Sequence, residues 1–127
     1  MAIGAQQSTH IIAARAAAEI DAAHALYQVT LRDGMRKVEA GGVISAAERL
    51  TAKRNVAFAC QLALKAATRL FNSAGGRALY RTGALQRQFR NLLGAVAHFS
   101  VNWETSASEY GQALLEQHGA PPAADRT

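Results

Sequence analysis

The sequence predicts an all-α protein, an antiparallel up-down helical bundle, and three observations support this prediction. Half of the 127 residues are hydrophobic and only 6% are aromatic, and alanine dominates the apolar set, which favours closely packed helices. Both prolines, Pro121 and Pro122, lie near the C-terminal end, so no proline interrupts residues 1–120. Apolar residues recur at steps of three or four over long stretches, which is the spacing of one helix face.

The first helix is predicted over residues 11–40, with a single apolar stripe. The stripe consists of Ile12, Ala16, Ile20, Ala23, Tyr27, Leu31, Met35 and Val38. A helix of this length spans about 45 Å. The pair Gly41 and Gly42 ends it, because glycine readily adopts the backbone that follows a helix C-terminus.

A second helix is predicted to begin directly after Ser45. Ser45 and Glu48 have the spacing of a capping box, in which each side chain satisfies a backbone amide at the start of the helix. A heptad seam follows along this helix, made of Leu50, Ala57, Leu64 and Phe71, with Cys60, Ala67 and Ala74 between them. Gly75 and Gly76 are expected to end the helix.

Two shorter helices complete the predicted bundle. The apolar residues of the third are Leu85, Phe89, Leu92, Leu93 and Val96. Asn102 caps a last helix from Trp103 to about His118, and Gly119 terminates it. We expect a flexible N-terminus over residues 1–10, one bundle domain over residues 11–119 and a disordered tail over residues 120–127. The short helices leave much of the long ones uncovered, which predicts a dimer or tetramer.

The charge distribution and the cysteine content restrict the class of protein. The formal net charge is +5, and nine basic residues and no acid lie between Arg49 and Arg90. No nucleic-acid-binding motif accompanies them, so they form either a solvated face or a surface for a phosphate-bearing cofactor or an acidic partner. The single cysteine excludes a disulfide framework and agrees with a cytoplasmic protein. We expect no membrane span and no metal site, because no apolar run is long enough and no ligand spacing is present.

Residues 69–99 contain an ordered set of features, which are Phe71, Gly75 and Gly76, Gln86 and Arg87, Arg90 and Asn91, and His98. In these features the stretch resembles the C-terminal helical domain of the acyl-CoA dehydrogenase superfamily, and especially the oxygenase components of two-component flavin-dependent monooxygenases. The stretch VNWETSASEYG is similar to the family's last helix, and the resemblance covers roughly residues 13–115. One departure is Asn91, which stands where aspartate is more common in the family.

The resemblance implies that the chain is the C-terminal domain or a truncated copy of a larger flavin-dependent monooxygenase or dehydrogenase-like enzyme. Family members carry an N-terminal helical domain and a β-domain, and the first helix of their C-terminal bundle also has no counterpart here. The implied cofactor is reduced FMN or FAD, which this chain alone is not expected to hold tightly. The implied partners are a flavin reductase and a chain that carries the missing domains.

The resemblance also implies site residues. His98 corresponds to the histidine that faces the flavin in the oxygenases, where it acts as a base toward the substrate hydroxyl or hydrogen-bonds the flavin hydroperoxide, and proton exchange of this kind suits imidazole. By its position alone His98 can equally be a polar residue at a helix end. Gly75 and Gly76 would approach the flavin phosphates, or simply terminate a helix. Arg77, Arg87 and Arg90 would pair with those phosphates, although Arg87 and Arg90 could also form ion pairs between helices or subunits.

Two other functions are compatible with the same residues. A flavin-free cyclase or lyase of a biosynthetic pathway would use His98 as its acid or base. A non-catalytic bundle would serve in oligomerisation or would cap a partner enzyme. Cys60 is interpreted as a packing residue rather than a nucleophile, since no histidine lies near it in sequence.

Overall fold

A computed structural model of the chain describes residues 3–74, 87, 90, 91, 94, 95 and 102–119. These residues contain the helices α1, Ile3–Glu39, α2, Ala46–Ala74, and α3, Trp103–Gln117. Residues 87, 90, 91, 94 and 95 are helical too, in agreement with the helix predicted around Leu92. The described residues include no strand, which confirms the all-α class.

Helix α1 begins at Ile3, eight residues before the predicted start at residue 11. The N-terminal residues were expected to be flexible because they carry no apolar stripe. They lack proline, however, and alanine and glutamine are good helix formers, so the helix extends through them. The division into an N-terminal segment, a bundle over residues 11–119 and a tail stays a prediction.

The predicted caps at Ser45, Asn102 and Gly41 are confirmed. The Glu48 amide donates to Ser45 Oγ at 3.1 Å, and the Ser45 amide donates to Glu48 Oε1 at 3.4 Å, which completes the capping box of α2. The Thr105 amide donates to Asn102 Oδ1 at 3.0 Å at the start of α3. Gly41 ends α1 with a φ of 82°, a left-handed conformation that favours glycine.

Three side-chain pairs show that α1 and α2 are antiparallel. Glu19 pairs with Arg69, Thr30 with Asn55, and Lys37 with Glu48, so residue numbers fall along one helix as they rise along the other. Helices α2 and α3 are antiparallel as well, because Phe58 meets Trp103 while Lys53 meets Glu109. Both contacts of α2 are therefore antiparallel, as expected for an antiparallel bundle.

Helix α2 lies between its two neighbours. Ala57 and Ala59 are both buried, although residues two positions apart point about 200° away from each other on a helix. Ala59 and Ala66 lie on the side of Asn55 and Arg69, which contact α1. Ala57 lies on the side of Lys53, which pairs with Glu109 of α3. The predicted seam through Ala57 thus accounts for one packed face only, and the second face, with Ala59 and Ala66, was missed.

Small residues make up the core of the described part of the chain. Its buried hydrophobic residues are all alanines: Ala16, Ala23, Ala57, Ala59 and Ala66. Of the predicted stripe of α1, Ala16 and Ala23 are buried, whereas Ile20, Tyr27, Leu31, Met35 and Val38 are exposed. Alanine lets two helix backbones approach closely, and this close approach leaves the larger residues beside the contact rather than inside it.

Candidate functional site

The C-terminal end of α2 and Ile12 of α1 form a groove of about 760 Å³. Its walls are Ile12, Leu64, Lys65, Thr68, Arg69, Asn72 and Ser73. Lysine and arginine attract anions, and hydroxyl and amide groups can donate hydrogen bonds to phosphate oxygens. Ser73 lies two positions before Gly75 in the chain, so the groove adjoins the predicted flavin-binding glycines in sequence.

An ion pair with Glu19 holds Arg69 in this groove. Arg69 Nε donates to Glu19 Oε1 at 3.0 Å, and Arg69 Nη2 lies 2.9 Å from the same oxygen. The Glu19 side chain is 13% exposed and that of Arg69 is 33% exposed. A guanidinium has five N–H donors, so two bonds to Glu19 leave donor capacity that can be directed toward an anion.

Arg87 and Arg90 are both helical and exposed. Residues 91, 94 and 95 are helical and exposed as well. A Cβ at Gly94 would meet no other atom within 4 Å. The two arginines and the Asn91 amide are therefore accessible to an anionic group outside the chain.

The other predicted site residues lie outside the described residues. These are Gly75, Gly76, Arg77 and His98. Of the predicted flavin contacts, the structure thus places Arg87 and Arg90. The roles of all five contacts and of His98 stay predictions.

A chain of polar contacts links the three helices near the middle of α2. Thr30 Oγ1 donates to the Leu26 carbonyl at 2.7 Å and accepts a hydrogen bond from Asn55 Nδ2 at 3.1 Å. Arg54 donates to Asn55 Oδ1 from Nε at 3.0 Å and from Nη2 at 2.7 Å. The Arg54 guanidinium lies 4.2 Å from the centroid of the Tyr110 ring, a cation–π contact with α3.

Other chemically interesting side chains have structural explanations. Burial raises the pKa of the Cys60 thiol, which lowers its thiolate fraction and agrees with a packing role. Gln28 Nε2 and His24 Nε2 are 3.0 Å apart on the exposed face of α1, as expected for a solvated pair. Within residues 3–74 and 102–119 no group of three metal-ligating side chains comes together. In the same part of the chain, no helix has the length and hydropathy that a membrane span requires.

Sequence reasoning did not identify Glu19, Lys65, Arg69 and Asn72 as site residues. Glu19 falls between Ala16 and Ala23 on the face of α1 that packs against α2. A carboxylate at a core-facing position of an amphipathic helix requires a partner, and this pattern could have identified Glu19 as a site residue. The identity of the partner depends on the tertiary fold, because Arg69 is 50 residues away in sequence.

The all-helical fold is consistent with a C-terminal domain of the acyl-CoA dehydrogenase type. The family model described as the acyl-CoA dehydrogenase C-terminal domain matches residues 1–103. The chain belongs to this family, and the predicted resemblance is confirmed.

Similar proteins include flavin-dependent oxygenases. The oxygenase component of an FADH2-dependent resorcinol hydroxylase from Rhizobium sp. (strain MTP-10005) is 31% identical over 109 residues, covering 80% of this chain. The crystal structure of 3-HSA hydroxylase from Rhodococcus sp. RHA1 superposes with a TM-score of 0.76 at 27% identity, over 90% of this chain. The HsaA monooxygenase from M. tuberculosis gives a TM-score of 0.76 at 26% identity, over 91% of this chain.

The chain corresponds to only part of each of these proteins. It spans 26% of the resorcinol hydroxylase component and 29% of each solved hydroxylase chain. The similarity therefore concerns their acyl-CoA dehydrogenase-like helical region. Activity, substrate and partners belong to the larger proteins.

Proposed function

We propose that this chain is the C-terminal domain, or a truncated copy, of the oxygenase component of a two-component flavin-dependent monooxygenase. The observation that carries the proposal is the similarity to the FADH2-dependent resorcinol hydroxylase over 80% of the chain. The two solved hydroxylases support it through a shared fold at more than 25% identity. The proposed complete enzyme acts in the cytoplasm as a homo-oligomer.

The described residues are suited to binding the phosphates of a flavin nucleotide. Lys65 and Arg69 bring positive charge to the groove, and Asn72 adds an amide that can donate to a phosphate oxygen. Arg87 and Arg90, both helical and exposed, present a second cationic surface. We assign the phosphate contacts to these residues together with Gly75, Gly76 and Arg77.

When bound, reduced FMN or FAD would supply the activation of dioxygen for hydroxylation. This chain would contribute charge neutralisation at the phosphates and a proton-transfer group, His98, at the substrate hydroxyl. Phosphate contacts alone give weak and salt-sensitive affinity, so the remaining flavin contacts must come from the N-terminal helical domain and the β-domain that family members carry. A flavin reductase is the proposed partner, because the reduced cofactor must be delivered to the oxygenase.

The test uses a complete enzyme, obtained by fusing the chain to the N-terminal and β-domains of the resorcinol hydroxylase component. With a flavin reductase and resorcinol as the probe, His98→Asn should lower the hydroxylation rate about 100-fold or more, the usual contribution of a positioned acid or base. Thermal unfolding of the chain should change little, because a helix-end histidine contributes about 0.3 to 1 kcal/mol.

His24→Asn is the matched control, since this histidine lies on the exposed face of α1. It should leave both hydroxylation and unfolding unchanged. Full turnover by His98→Asn would contradict the catalytic role. Unfolding of the same variant would mean that the histidine is structural.

A further inference from the structure

We infer that Glu19 is a positioning residue for phosphate binding, because it holds the Arg69 guanidinium with one edge directed to a phosphate in the groove at the C-terminal end of α2. The inference rests on the proposed function only in taking that phosphate to belong to a flavin nucleotide. It adds to that function a residue that lies behind the groove and acts through Arg69.

Glu19 and Arg69 form a pair that runs from the protein interior to the groove. Glu19 lies between Ala16 and Ala23, which are buried residues of the α1 face that packs against α2. Its side chain is 13% exposed, whereas that of Arg69 is 33% exposed and forms part of the groove wall. The carboxylate is therefore the fixed end of the pair, and the guanidinium is the end that a ligand in the groove can reach.

The atoms that form the pair determine which donors of Arg69 remain. Nε donates to Glu19 Oε1 at 3.0 Å, and Nη2 lies 2.9 Å from the same oxygen. Glu19 thus occupies the edge of the guanidinium that Nε shares with Nη2, and of the five N–H donors two on Nη1 and one on Nη2 remain. These include the parallel N–H groups of the Nη1–Nη2 edge, which match two oxygens of one phosphate group.

The carboxylate of Glu19 is used in a way that orients the arginine, at some cost in stability. Both nitrogens approach Oε1, and Oε2 is buried with no hydrogen-bond partner among the described residues. A pair with two parallel N–H···O bonds would use both oxygens, and an unsatisfied buried carboxylate oxygen destabilises the folded state. The geometry therefore supports a role for Glu19 beyond holding α1 and α2 together.

Charge and orientation give opposite expectations for the effect of Glu19 on an anion. A carboxylate cancels the charge of the arginine with which it pairs, so by charge alone its removal should strengthen anion binding. Orientation acts the other way, because an arginine that is already fixed loses less side-chain freedom on binding, which is worth about 2- to 10-fold in affinity. The sign of the change in affinity therefore separates the two effects.

The test titrates inorganic phosphate into the full chain at about 0.15 M salt, where charges more than about 8 Å apart are largely screened. Amide shifts of Thr68 and Asn72, both in the groove wall, give the dissociation constant by NMR. The unmodified chain should show saturable shifts. Glu19→Ala should raise the dissociation constant about 5-fold or more, although it makes the groove more positive. Glu19→Gln keeps an oxygen that can accept from Arg69 Nε and should stay within about 2-fold of the unmodified chain.

Two further variants control for charge. Arg69→Lys keeps the positive charge but replaces the planar guanidinium by a point charge, so it should raise the dissociation constant about 10-fold or more. Glu109→Ala removes a carboxylate from the exposed pair with Lys53, whose Nζ lies 3.5 Å from Glu109 Oε2. It changes the net charge by the same amount as Glu19→Ala and should leave phosphate binding unchanged.

The Arg69 Nε–H signal of the unmodified chain tests the orientation without any substitution, and it decides the question if Glu19→Ala is unfolded by circular dichroism. The signal should be resolved in the free chain, because the hydrogen bond to Glu19 slows its exchange with water. It should persist when phosphate saturates the groove. A signal that moves to the position of a solvated arginine would mean that phosphate competes with Glu19 for the same edge, and this would overturn the inference.

Three other results would also overturn the inference. These are no saturable phosphate binding by the unmodified chain, equal weakening by Glu109→Ala, and phosphate binding by Glu19→Ala that is unchanged or tighter while thermal stability falls, as expected for a purely structural ion pair. The titration needs no flavin, reductase or fused domain. If the fused enzyme does not hydroxylate while the titrations give the expected series, the proposed function fails and the role of Glu19 stands.

Discussion

The contact between α1 and α2 is built from alanines and polar pairs, whereas the contact between α2 and α3 is built around aromatic rings. On the first face, Ala59 and Ala66 are buried and Arg69 pairs with Glu19. On the second face, the Phe58 and Trp103 rings lie 5.6 Å apart at 50°, a tilted arrangement that aromatic pairs favour.

The difference follows from the area that each kind of side chain can bury. An alanine contributes little area, so the first contact needs a long overlap of two helices with their backbones close together. An aromatic ring buries far more, so the short helix α3 can be held by a few residues. The first contact should therefore be sensitive to added volume, and the second to lost volume.

The largest effect is expected from added volume in the alanine contact. Ala66 is completely buried on the face toward α1, and Ala66→Leu should lower the free energy of unfolding by about 2 to 3 kcal/mol, because overpacking separates the helices. Urea unfolding at fixed protein concentration measures this. Ala18→Leu on the exposed side of α1 is the control and should stay within about 0.5 kcal/mol of the unmodified chain. Equal stability of the two variants would show that the contact is loosely packed.

A smaller effect is expected from lost volume in the aromatic contact. Trp103→Ala should lower the free energy of unfolding by about 1 to 2 kcal/mol. This is less than the loss of a fully buried ring would cost, because both rings are partly exposed. Hydrogen exchange should accelerate across α3 while the α1 and α2 amides keep their protection. Leu115→Ala, at an exposed position of the same helix, should change neither the free energy of unfolding nor the hydrogen-exchange rates. Equal acceleration in all three helices would mean that α3 does not unfold separately.

The smallest effect concerns the turn between α1 and α2. A hydrogen bond from Lys37 and a second from Ser45 lower the pKa of Glu48 below 4.5. A carboxyl whose pKa is lowered by folding stabilises the folded state above its unfolded pKa, and this stabilisation is lost as the pH falls through the folded pKa. Glu48→Gln should therefore flatten the stability profile below about pH 4.5. Lys37→Met should reproduce most of this flattening. If both variants lose stability at acidic pH as the unmodified chain does, the stabilising role of the Glu48 carboxylate is contradicted.

The sequence was most informative where structure depends on local chemistry. Ser45, Asn102 and Gly41 act within one turn of a helix end, so their roles could be predicted from spacing alone. The packed faces were harder, because a helix rich in alanine offers small residues on every side. Ala57 was predicted in the seam while Ala66 was missed, since no size difference separates the two positions.

The residues of the candidate site also differ in whether local sequence or tertiary packing identifies them. Arg87 and Arg90 were predicted from a short ordered motif that contains them both, and their role stays a prediction. Glu19, Lys65 and Arg69 belong to no such motif, and only the antiparallel packing of α1 on α2 brings the two ends of their groove together.

The polar contacts along α1 and α2 also decide how the helices align lengthwise. Alanine surfaces are nearly uniform, so sliding α1 by one turn, about 5.4 Å, would bury similar area. Such a shift would break the Glu19–Arg69, Thr30–Asn55 and Lys37–Glu48 pairs together. Because Asn55 also binds Arg54, which lies over Tyr110, the position of α3 depends on the same alignment. A few polar side chains thus select one lengthwise alignment of α1 and α2 among several that would pack comparably well. The position of α3 follows from the same contacts.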